Sequence, residues 1–482
     1  MRRLKSKPID YLLKEEVEMI HANSLDILES TGIKIDCNEA QRLLIDNGAE
    51  QKDGRILIPR ELVLEQLRQA PSQFKLHSFR NPERDIVIGG DYVCFAPGYG
   101  APRVLDMNHG PRPGRLEDYD KFTRLAGASE NICNMGYDIV DPQDVPIEIK
   151  HLEMMHLSIK NGDKPFMGSP YGKQQAKDSI KMAEILAGDK EILFKKPSLL
   201  CLINTISPLT ISREMTEGLM TYAKANQAVL IASLPMTGAT SPITLPGTMV
   251  QVNAEVLAGI TIAQLVRKGA PVIYGCASAE TDMSTGTGSI GTAKAAASVM
   301  ITAQLARYYE LPSRAGGILT DSNIPDAQAG YESAMIAMAT VFSGINFVLH
   351  TAGILQSYNM MSYEKFIIDE DILNSITKIA CDFDVNENSL AIDVIKENAE
   401  ESHFLQSQHT LKHLKTEILK SMVSERIPYG NWVKKGSNPT HQRAREVCSQ
   451  ILKCYEPPKL DKGINQELMD YINQRKKAHI AS

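Results

Sequence analysis

Short apolar runs of strand length recur along the central part of the chain and alternate with longer amphipathic segments. The runs begin 30 to 43 residues apart. They lie at 92–96, 132–139, 165–168, 198–206, 228–234, 271–276, 313–319 and 346–350. Helical spacing fills most of the gaps, at 212–226, 253–268, 293–309 and 328–343. Buried strands that alternate with helices predict βα units and a parallel sheet, and eight such units favour an α/β fold of the closed (β/α)8 or TIM-barrel type.

The two ends of the chain have a different pattern from the centre. Residues 1–90 show helical spacing with short strands near 55–58 and 74–88, which predicts an N-terminal helical segment. Residues 91–380 carry the repeated units and form the predicted barrel. Residues 381–482 are helical and more charged, so we expect a C-terminal helical segment packed on the barrel.

Composition narrows the class of protein. The chain has 43% hydrophobic and 23% charged residues and a net charge of −6, which argues against a disordered or nucleic-acid-coating protein. The apolar stretches are interrupted before the roughly 20 residues of a membrane span, and the N-terminus lacks a signal-peptide pattern. We therefore expect a cytoplasmic protein without membrane or nucleic-acid partners. The eight cysteines are scattered without a CxxC pair, so no metal site is predicted.

Aromatic residues concentrate where the apolar runs end. Only 6% of the chain is aromatic, yet Tyr99, Tyr137, Tyr171 and Tyr274 all follow or end a predicted strand, and Phe95 lies nearby. In a barrel these positions converge on the C-terminal face, where active sites form. The cluster indicates either core packing with exposed hydroxyls or an aromatic cage for a cation, because ring faces attract quaternary ammonium groups.

The segment GGILTDSNIPDAQAGYE (316–332) places several polar side chains at one predicted strand end. Asp321 and Asn323 are candidate catalytic residues, although Pro325 and Asp326 equally mark the start of a helix. His350 ends the last apolar run and is a third candidate, against the alternative of a hydrogen-bonded structural histidine. By contrast, His151 and His156 are five residues apart on a helix, and we expect both to be solvated.

A glycine-rich stretch, STGTGSIGTAK (284–294), precedes a predicted helix. It lacks the spacing of a nucleotide-binding P-loop, and no GxGxxG follows the first predicted strand. The stretch is therefore interpreted as a long flexible loop after the sixth strand, suited to act as a lid or a docking surface.

Three longer stretches carry a resemblance to a known family: FAPGYGAPRVLDMNHGPRP, TDSNIPDAQAGYESAMIAMATVFSGINFVLHTAG and NWVKKGSNPTHQRAREVCSQIL. The chain resembles the trimethylamine methyltransferase superfamily over essentially its whole length. The resemblance implies a (β/α)8 barrel that moves a methyl group from a methylated amine to the cobalt of a partner corrinoid protein. No cofactor is then bound tightly by this chain.

That superfamily has two branches, one of which uses the amino acid pyrrolysine for trimethylamine. This chain contains only the twenty standard residues and is similar to the other branch, whose characterised members demethylate quaternary amines such as glycine betaine, proline betaine, carnitine or γ-butyrobetaine. The chemistry agrees, because a quaternary ammonium leaves as a neutral tertiary amine and needs no general acid. We also expect a homo-oligomer.

The predicted site divides into two parts. The cation is expected within a cage of aromatic side chains, and donor side chains are expected to bind the substrate carboxylate. The cage candidates are Phe95, Tyr99, Tyr137, Tyr171 and Tyr274, the unranked carboxylate partners are Lys173, Asn204, Ser207, Arg314 and His350, and Gln328 belongs to the opposite wall.

Two readings of another class remain open at the level of the sequence. The chain could be a non-catalytic amine- or corrinoid-binding subunit. It could also be a TIM-barrel lyase or hydrolase that uses Asp321 and His350 as acid and base.

Overall fold

The N-terminal part of the fold consists of helices and short antiparallel strands. The computed structural model describes residues 2–5, 7–381, 383–399 and 403–480. The first elements are β1 (Arg2–Arg3), α1 (Lys14–Ser30), β2 (Lys34–Ile35), α2 (Asn38–Ile45), β3 (Glu50–Lys52), β4 (Arg55–Leu57), α3 (Arg60–Leu67), β5 (Gln73–Leu76) and β6 (Ile86–Gly89). In α1 the buried residues Val17, Ile20, Leu25 and Leu28 lie on one face, as expected for an amphipathic helix against a core.

The central part alternates strands and helices as the sequence pattern predicts. Its elements are β7 (Tyr92–Phe95), β8 (Arg103–Asp106), β9 (Gly110–Pro113), α4 (Leu116–Ala128), α5 (Ile147–Asn161), β10 (Phe166–Met167), α6 (Gly172–Ala187), α7 (Lys190–Lys195), β11 (Leu199–Asn204), β12 (Thr210–Ile211), α8 (Arg213–Lys224), β13 (Ala228–Ser233), β14 (Met236–Thr237), α9 (Leu245–Val266), β15 (Val272–Cys276), β16 (Ala279–Thr281), β17 (Gly288–Ser289), α10 (Ala293–Tyr308), β18 (Ser313–Arg314), α11 (Ala327–Phe342), β19 (Phe347–Val348), β20 (Ile354–Leu355), β21 (Met360–Met361) and α12 (Tyr363–Cys381). The α/β class is therefore confirmed.

The main sheet has 10 strands in the order β10-β11-β13-β15-β18-β19-β7-β6-β5, with β1 paired to β7. Every neighbouring pair from β10 to β7 is parallel. Helices cover these strands, which explains why β11, β13 and β15 are almost entirely apolar. Seven of the eight predicted apolar runs thus contribute a strand to one curled sheet.

The remaining run, at 132–139, is irregular but occupies the space between β7 and β10. The amide of Cys133 donates to the carbonyl of Phe95 at 2.9 Å, and the amide of Met135 donates to Pro165 at 2.8 Å. Gly136 accepts from Met167 at 3.0 Å. The segment is not a regular strand because Asn134 binds the Gly136 amide through its side chain, and Gly136 has a φ of 71°.

Among the described residues, one helix, α9, is long and apolar enough to cross a membrane by length and composition. An apolar helix of this length was not predicted from the sequence. The most apolar part of α9 is 83% buried within the fold, where the helix contacts α1, α3 and β13. Its apolar character is therefore accounted for by the protein core.

The C-terminal elements are α13 (Glu387–Leu390), α14 (Ile392–Glu397), α15 (Gln408–Glu417), α16 (Tyr429–Lys434), α17 (Thr440–Cys454) and α18 (Lys462–Ile480). Helix α17 packs on α12 and α4, and α18 packs on α5 and α6. Asp178 of α6 anchors α18 by accepting from Tyr471 at 2.7 Å and pairing with Arg475 at 3.0 Å. The same carboxylate binds His151 at 3.0 Å. The prediction that His151 is solvated was wrong, since this residue is 2% exposed.

Candidate active site

A cavity of about 620 Å³ lies at the C-terminal ends of the parallel strands. Each strand end, including that of segment 132–136, contributes to its wall. In chain order these residues are Tyr99, Tyr137, Tyr171, Asn204, Leu234, Ala277, Arg314 and His350. Side chains that are distant in sequence meet here because parallel strands bring their carboxyl ends to one side of a sheet.

The cavity walls are largely aromatic. The ring centroids of Tyr99 and Tyr137 lie 6.4 Å apart, and Tyr99 meets His350 edge-on at 6.3 Å. The ring centroid of Tyr358 lies 4.6 Å from that of His350. Tyr99 and Tyr137 are almost fully buried, whereas Tyr171 is 48% exposed. Tyr171 therefore marks the open side of the cavity, and the other rings line its interior.

Arg314 and His350 form the basic part of the cavity. Arg314 is 1% exposed and donates from Nη1 to the Cys276 carbonyl at 2.9 Å. Within the described part of the chain, Arg314 Nε and His350 Nδ1 lack a hydrogen-bond partner. Burial lowers the pKa of His350 well below its ordinary value, and the Arg314 charge lowers it further. The imidazole is therefore neutral near pH 7, and Arg314 supplies the positive charge.

The backbone around His350 is held in an uncommon conformation. His350 has a φ of 61°, which is rare for a residue with a side chain. Gly317 passes so close that a Cβ at that position would lie 2.7 Å from the His350 carbonyl oxygen. The glycine is thus required by close approach, and the strained histidine is of the kind that concentrates at functional sites.

Tyr358 was not predicted from the sequence. It ends a turn in which Gln356, Ser357 and Tyr358 have φ values of 49°, 50° and 73°. Ser357 Oγ donates to Asp321 at 2.6 Å, and the Gln356 amide donates to the Ser322 carbonyl at 2.9 Å. Because this turn connects the short strands β20 and β21, beyond the last predicted strand, and has no periodic pattern, only the fold shows that the Tyr358 ring reaches the cavity.

The polar side chains at 321–332 form hydrogen bonds to neighbouring loops and do not line the cavity. Asp321 accepts from the amides of Ile290 and Gly291 at 2.7 and 3.0 Å, in addition to Ser357. Gln328 donates to Glu332 at 2.9 Å, and Asn323 is exposed. We expected Asp321, Asn323 and Gln328 to act at the substrate. The structure instead gives Asp321 and Gln328 hydrogen-bond partners within the fold, and the cavity lining includes His350 but none of these three residues.

The glycine-rich stretch bound by Asp321 is also more ordered than expected. Strands β16 and β17 form an antiparallel pair, and Asp282 binds the turn between them through the amides of Ser284 and Thr285. The predicted flexible loop is therefore a short hairpin beside the cavity.

Phe95 and Tyr274 point away from the cavity into the layer between sheet and helices. The Tyr274 hydroxyl donates to Asn253 at 2.9 Å, and its ring lies 6.0 Å from Tyr309. Phe95 belongs to a core cluster with Val299. Alternate residues of a strand face opposite sides, so a strand-end position alone does not place a ring in the cavity. The cage predicted to include Phe95 and Tyr274 is corrected accordingly.

Ser207 and Lys173 also lie outside the cavity. Ser207 donates to Glu255 at 2.9 Å, and this buried carboxylate of α9 also accepts from Thr205 and Ser233 at 2.5 and 2.7 Å. Glu255 thereby joins the ends of β11 and β13. Lys173 is exposed at the start of α6. Of the predicted carboxylate partners, Asn204, Arg314 and His350 line the cavity.

Asp138 adds an acidic group to the cavity wall beside the tyrosines. Its Oδ1 is buried without a hydrogen-bond partner among the described residues. Burial raises the pKa of Asp138 to about 7, the Asp141 charge raises it further, and Lys150 opposes the shift. The cavity therefore combines aromatic rings, one unpaired carboxyl group and a separate buried guanidinium.

Exposed apolar side chains follow the strand ends that form the cavity. They lie in the segments after successive strands, at Ile147 (67% exposed), Tyr171 (48%), Ile206 (54%), Leu234 (39%), Ile243 (59%), Met283 (63%) and Ile324 (45%). We call these residues the mouth ring, and Ile147, Tyr171 and Leu234 also line the cavity. Scattered single apolar residues are common on protein surfaces, whereas a set that follows successive strand ends on one side of the sheet is unusual.

Comparison with known proteins supports the resemblance noted in the sequence. The chain is 46% identical over 466 residues to a glycine betaine methyltransferase of Desulfitobacterium hafniense strain Y51, covering 97% of each protein. It is 30% identical to a proline betaine:corrinoid methyltransferase of Eubacterium limosum, covering 97% of this chain and 98% of that protein. It is 33% identical to the trimethylamine methyltransferase MttB of Desulfitobacterium hafniense strain DSM 10664 / DCB-2, covering 95% and 92%.

A solved structure shows a related fold. The Methanosarcina barkeri monomethylamine methyltransferase MtmB matches with a TM-score of 0.52 at 10% identity, over 96% of this chain and 89% of that one. The profile of the trimethylamine methyltransferase (MTTB) family matches residues 2–480. The chain belongs to the trimethylamine methyltransferase family.

Proposed function

We propose that this protein transfers a methyl group from a quaternary amine of the betaine type to the Co(I) of a partner corrinoid protein. Glycine betaine, proline betaine, carnitine and γ-butyrobetaine are the substrate class. The observation that carries the proposal is the polarity of the cavity. Tyr171 lies at the open side, the other tyrosine rings line the interior, and the charged Arg314 lies in the buried wall.

This polarity orients a betaine. Its carboxylate is expected at Arg314, where the free Nε and the remaining guanidinium donors suit a planar anion. Its ammonium is expected among Tyr99, Tyr137, Tyr171 and Tyr358, since ring faces attract a desolvated cation. The N–CH3 bond then points towards the opening, which is the direction from which a second protein can approach.

The chemistry requires little from the protein beyond binding and orientation. The electron pair of Co(I) attacks the methyl carbon, the C–N bond breaks, and its electron pair stays on nitrogen. The products are a methylated corrinoid and a neutral tertiary amine, and no proton is transferred. A neutral His350 agrees with this scheme because no general acid is needed. Rate acceleration then comes from alignment and from exclusion of water.

The mouth ring is the proposed docking surface for the corrinoid protein. Its members follow successive strands around the opening, so a partner seated on them covers the cavity. Apolar contacts of this kind stabilise a complex when they are removed from water. The relative from Eubacterium limosum is a proline betaine:corrinoid methyltransferase, which supports a corrinoid partner for this chain.

We further propose that the curled sheet is a closed (β/α)8 barrel, with segment 132–136 in the position of the second strand. The hydrogen bonds of Cys133, Met135 and Gly136 to both neighbouring strands support closure. The arrangement of eight strand ends around one cavity also supports it.

We propose that a second copy of the chain binds another apolar surface, which is formed by α13–α16 and the described residues that precede and connect these helices. Its exposed members are Phe383, Val385, Leu390, Ile392, Ile395, Phe404, Leu405, Leu411, Leu414, Ile418, Tyr429 and Val433. Lys5 ties this region to the N-terminal ends of the strands through Asp384, away from the mouth. A large apolar surface is typical of a permanent homo-oligomer interface. The oligomer is proposed to be cytoplasmic.

This surface can be tested on α15. The double variant Leu411→Glu/Leu414→Glu is expected to lower the molar mass measured by size-exclusion chromatography with light scattering, from an oligomer to a monomer. The matched variant Lys412→Glu/Lys415→Glu changes charge on the same helix and is expected to leave the mass unchanged. A monomeric parent protein, or an oligomer that survives the double leucine change, contradicts the assignment.

The methyl transfer is tested by mixing the protein with a Co(I) corrinoid protein and a panel of betaines. We expect the absorbance of Co(I) to be replaced by that of the methylated corrinoid with at least one quaternary amine. Trimethylamine is the matched control and is expected to give at least tenfold slower methylation. Binding of betaines without any methylation, using an intact and reduced corrinoid protein, would support the non-catalytic binding subunit instead.

A further inference from the structure

We propose that Asp138 is the residue that selects a cationic methyl donor, by placing its carboxylate against the substrate ammonium at the mouth side of the aromatic cavity. This inference rests on the proposed function and assigns a role to a residue that the aromatic cage alone does not need. Tyrosine rings also bind an apolar trimethyl group through contact area, so the cation–π attraction supplies only part of the selectivity for charge. A carboxylate distinguishes the two by charge.

The geometry places Asp138 where such a charge can act. Asp138 is 9% exposed and lines the cavity together with Tyr99, Tyr137 and Tyr171. Its charge is close enough to raise the pKa of each of these tyrosines. The carboxylate therefore lies beside the rings that are proposed to surround the ammonium.

The hydrogen bonding of Asp138 is incomplete in a way that a ligand would satisfy. A buried carboxyl oxygen is normally hydrogen-bonded, and one without a hydrogen-bond partner is uncommon. Oδ1 of Asp138 has no partner in the described ranges. Lys150, whose charge opposes the raised pKa of Asp138, is ion-paired with Asp141. Asp138 therefore has no ion-pair partner of its own among the described residues, and a bound cation would supply one.

The same placement makes recognition pH-dependent. With a pKa of about 7 in the free protein, Asp138 is about one-tenth ionised at pH 6 and about nine-tenths ionised at pH 8. Since the ionised form attracts the ammonium, we expect it to bind a betaine about tenfold more tightly than the neutral form, so betaine affinity rises about fivefold over this range. The tyrosines have raised pKa values, Arg314 stays charged, and His350 is neutral, so none of them reverses this trend.

A moderate interaction also suits the reaction. The positive charge on nitrogen disperses as the methyl group leaves, so a strong ion pair stabilises the ground state more than the transition state. A carboxyl group that titrates near pH 7 and contacts the cation from one side limits that cost. We therefore expect Asp138 to affect KM much more than kcat.

The test measures glycine betaine binding to the full chain by isothermal titration calorimetry between pH 6 and 8.5. For the unsubstituted protein we expect Kd to fall about fivefold from pH 6 to 8. For Asp138→Asn we expect a flat profile, with about tenfold weaker binding than the parent at pH 8 and about twofold weaker binding at pH 6. The uncharged analogue 3,3-dimethylbutyrate, in which carbon replaces the ammonium nitrogen, is expected to bind both proteins without this pH dependence.

Asp144 is the matched control because it is an exposed carboxylate six residues further along the chain that does not line the cavity. The variant Asp144→Asn is expected to retain the pH profile of the parent. An unchanged profile in Asp138→Asn, or the same profile with the uncharged analogue, overturns the role of Asp138 while leaving the methyl transfer intact. If no betaine binds and none is demethylated, the proposed function itself fails.

Discussion

Replacing Arg314 by glutamine is expected to lower kcat/KM for glycine betaine by about two to three orders of magnitude. A guanidinium that binds a carboxylate in a water-excluded cavity makes charge-assisted hydrogen bonds of about 1.5–3 kcal/mol each, and every 1.4 kcal/mol corresponds to tenfold. Arg314→Lys retains one positive charge without the planar fork, and an intermediate loss is expected. The measurement is the initial rate of corrinoid methylation over a range of betaine concentrations.

Tetramethylammonium separates a carboxylate-binding role from general damage. It has the cation of a betaine but no carboxylate, so its Kd, measured by calorimetry, should change less than threefold in Arg314→Gln. The melting temperatures of the variants control for the lost bond to the Cys276 carbonyl. Equal losses for glycine betaine and tetramethylammonium would show that Arg314 supports the fold of the cavity and does not bind the carboxylate.

Replacing Tyr99 by leucine is expected to weaken glycine betaine binding by about 30-fold. Tyr99 is 8% exposed and lies between Tyr137 and His350, so it is the central ring of the cage. A desolvated cation–π contact contributes about 2 kcal/mol, which corresponds to this change in Kd. Tyr99→Phe keeps the ring face and is expected to bind within threefold of the parent in the same calorimetric experiment.

Tyr274 provides the matched control on a neighbouring strand. Tyr274→Phe removes a buried hydrogen bond to Asn253 and should lower the melting temperature, while betaine affinity stays within twofold because the ring faces away from the cavity. A large effect at Tyr274 combined with none at Tyr99 contradicts the cage described here.

The fold class could be predicted because the period of the apolar runs matches the elements that form. Most strand ends could also be located, and six of the predicted substrate-binding residues line the cavity, although their roles stay predictions: Tyr99, Tyr137, Tyr171, Asn204, Arg314 and His350. The side of the strand on which a residue projects was harder to predict. Fully buried strands have no polar face to set the register, so nothing in the sequence separates Tyr274 from Tyr99.

The contributions of Asp138, Tyr358 and Asp321 depend on contacts that are distant in sequence. Tyr358 reaches the cavity because a left-handed turn is tied to Asp321 and Ser322, more than 30 residues earlier. Asp321 was predicted at a strand end but lies seven residues beyond Arg314, where β18 ends, and its partners at Ile290, Gly291 and Ser357 are too distant in sequence to be predicted from local pattern. Asp138 becomes a candidate site residue only when the structure shows that its buried Oδ1 has no hydrogen-bond partner among the described residues.

The cavity wall is assembled from single side chains, each at the end of a different strand. One wall position can therefore mutate without repacking the hydrophobic interior, because the strand that carries it is already held by its neighbours. Leu234 and Ala277, whose side chains are small or flexible, offer room for such changes. This modular construction gives the scaffold a short evolutionary route between methylated amines of different length and shape.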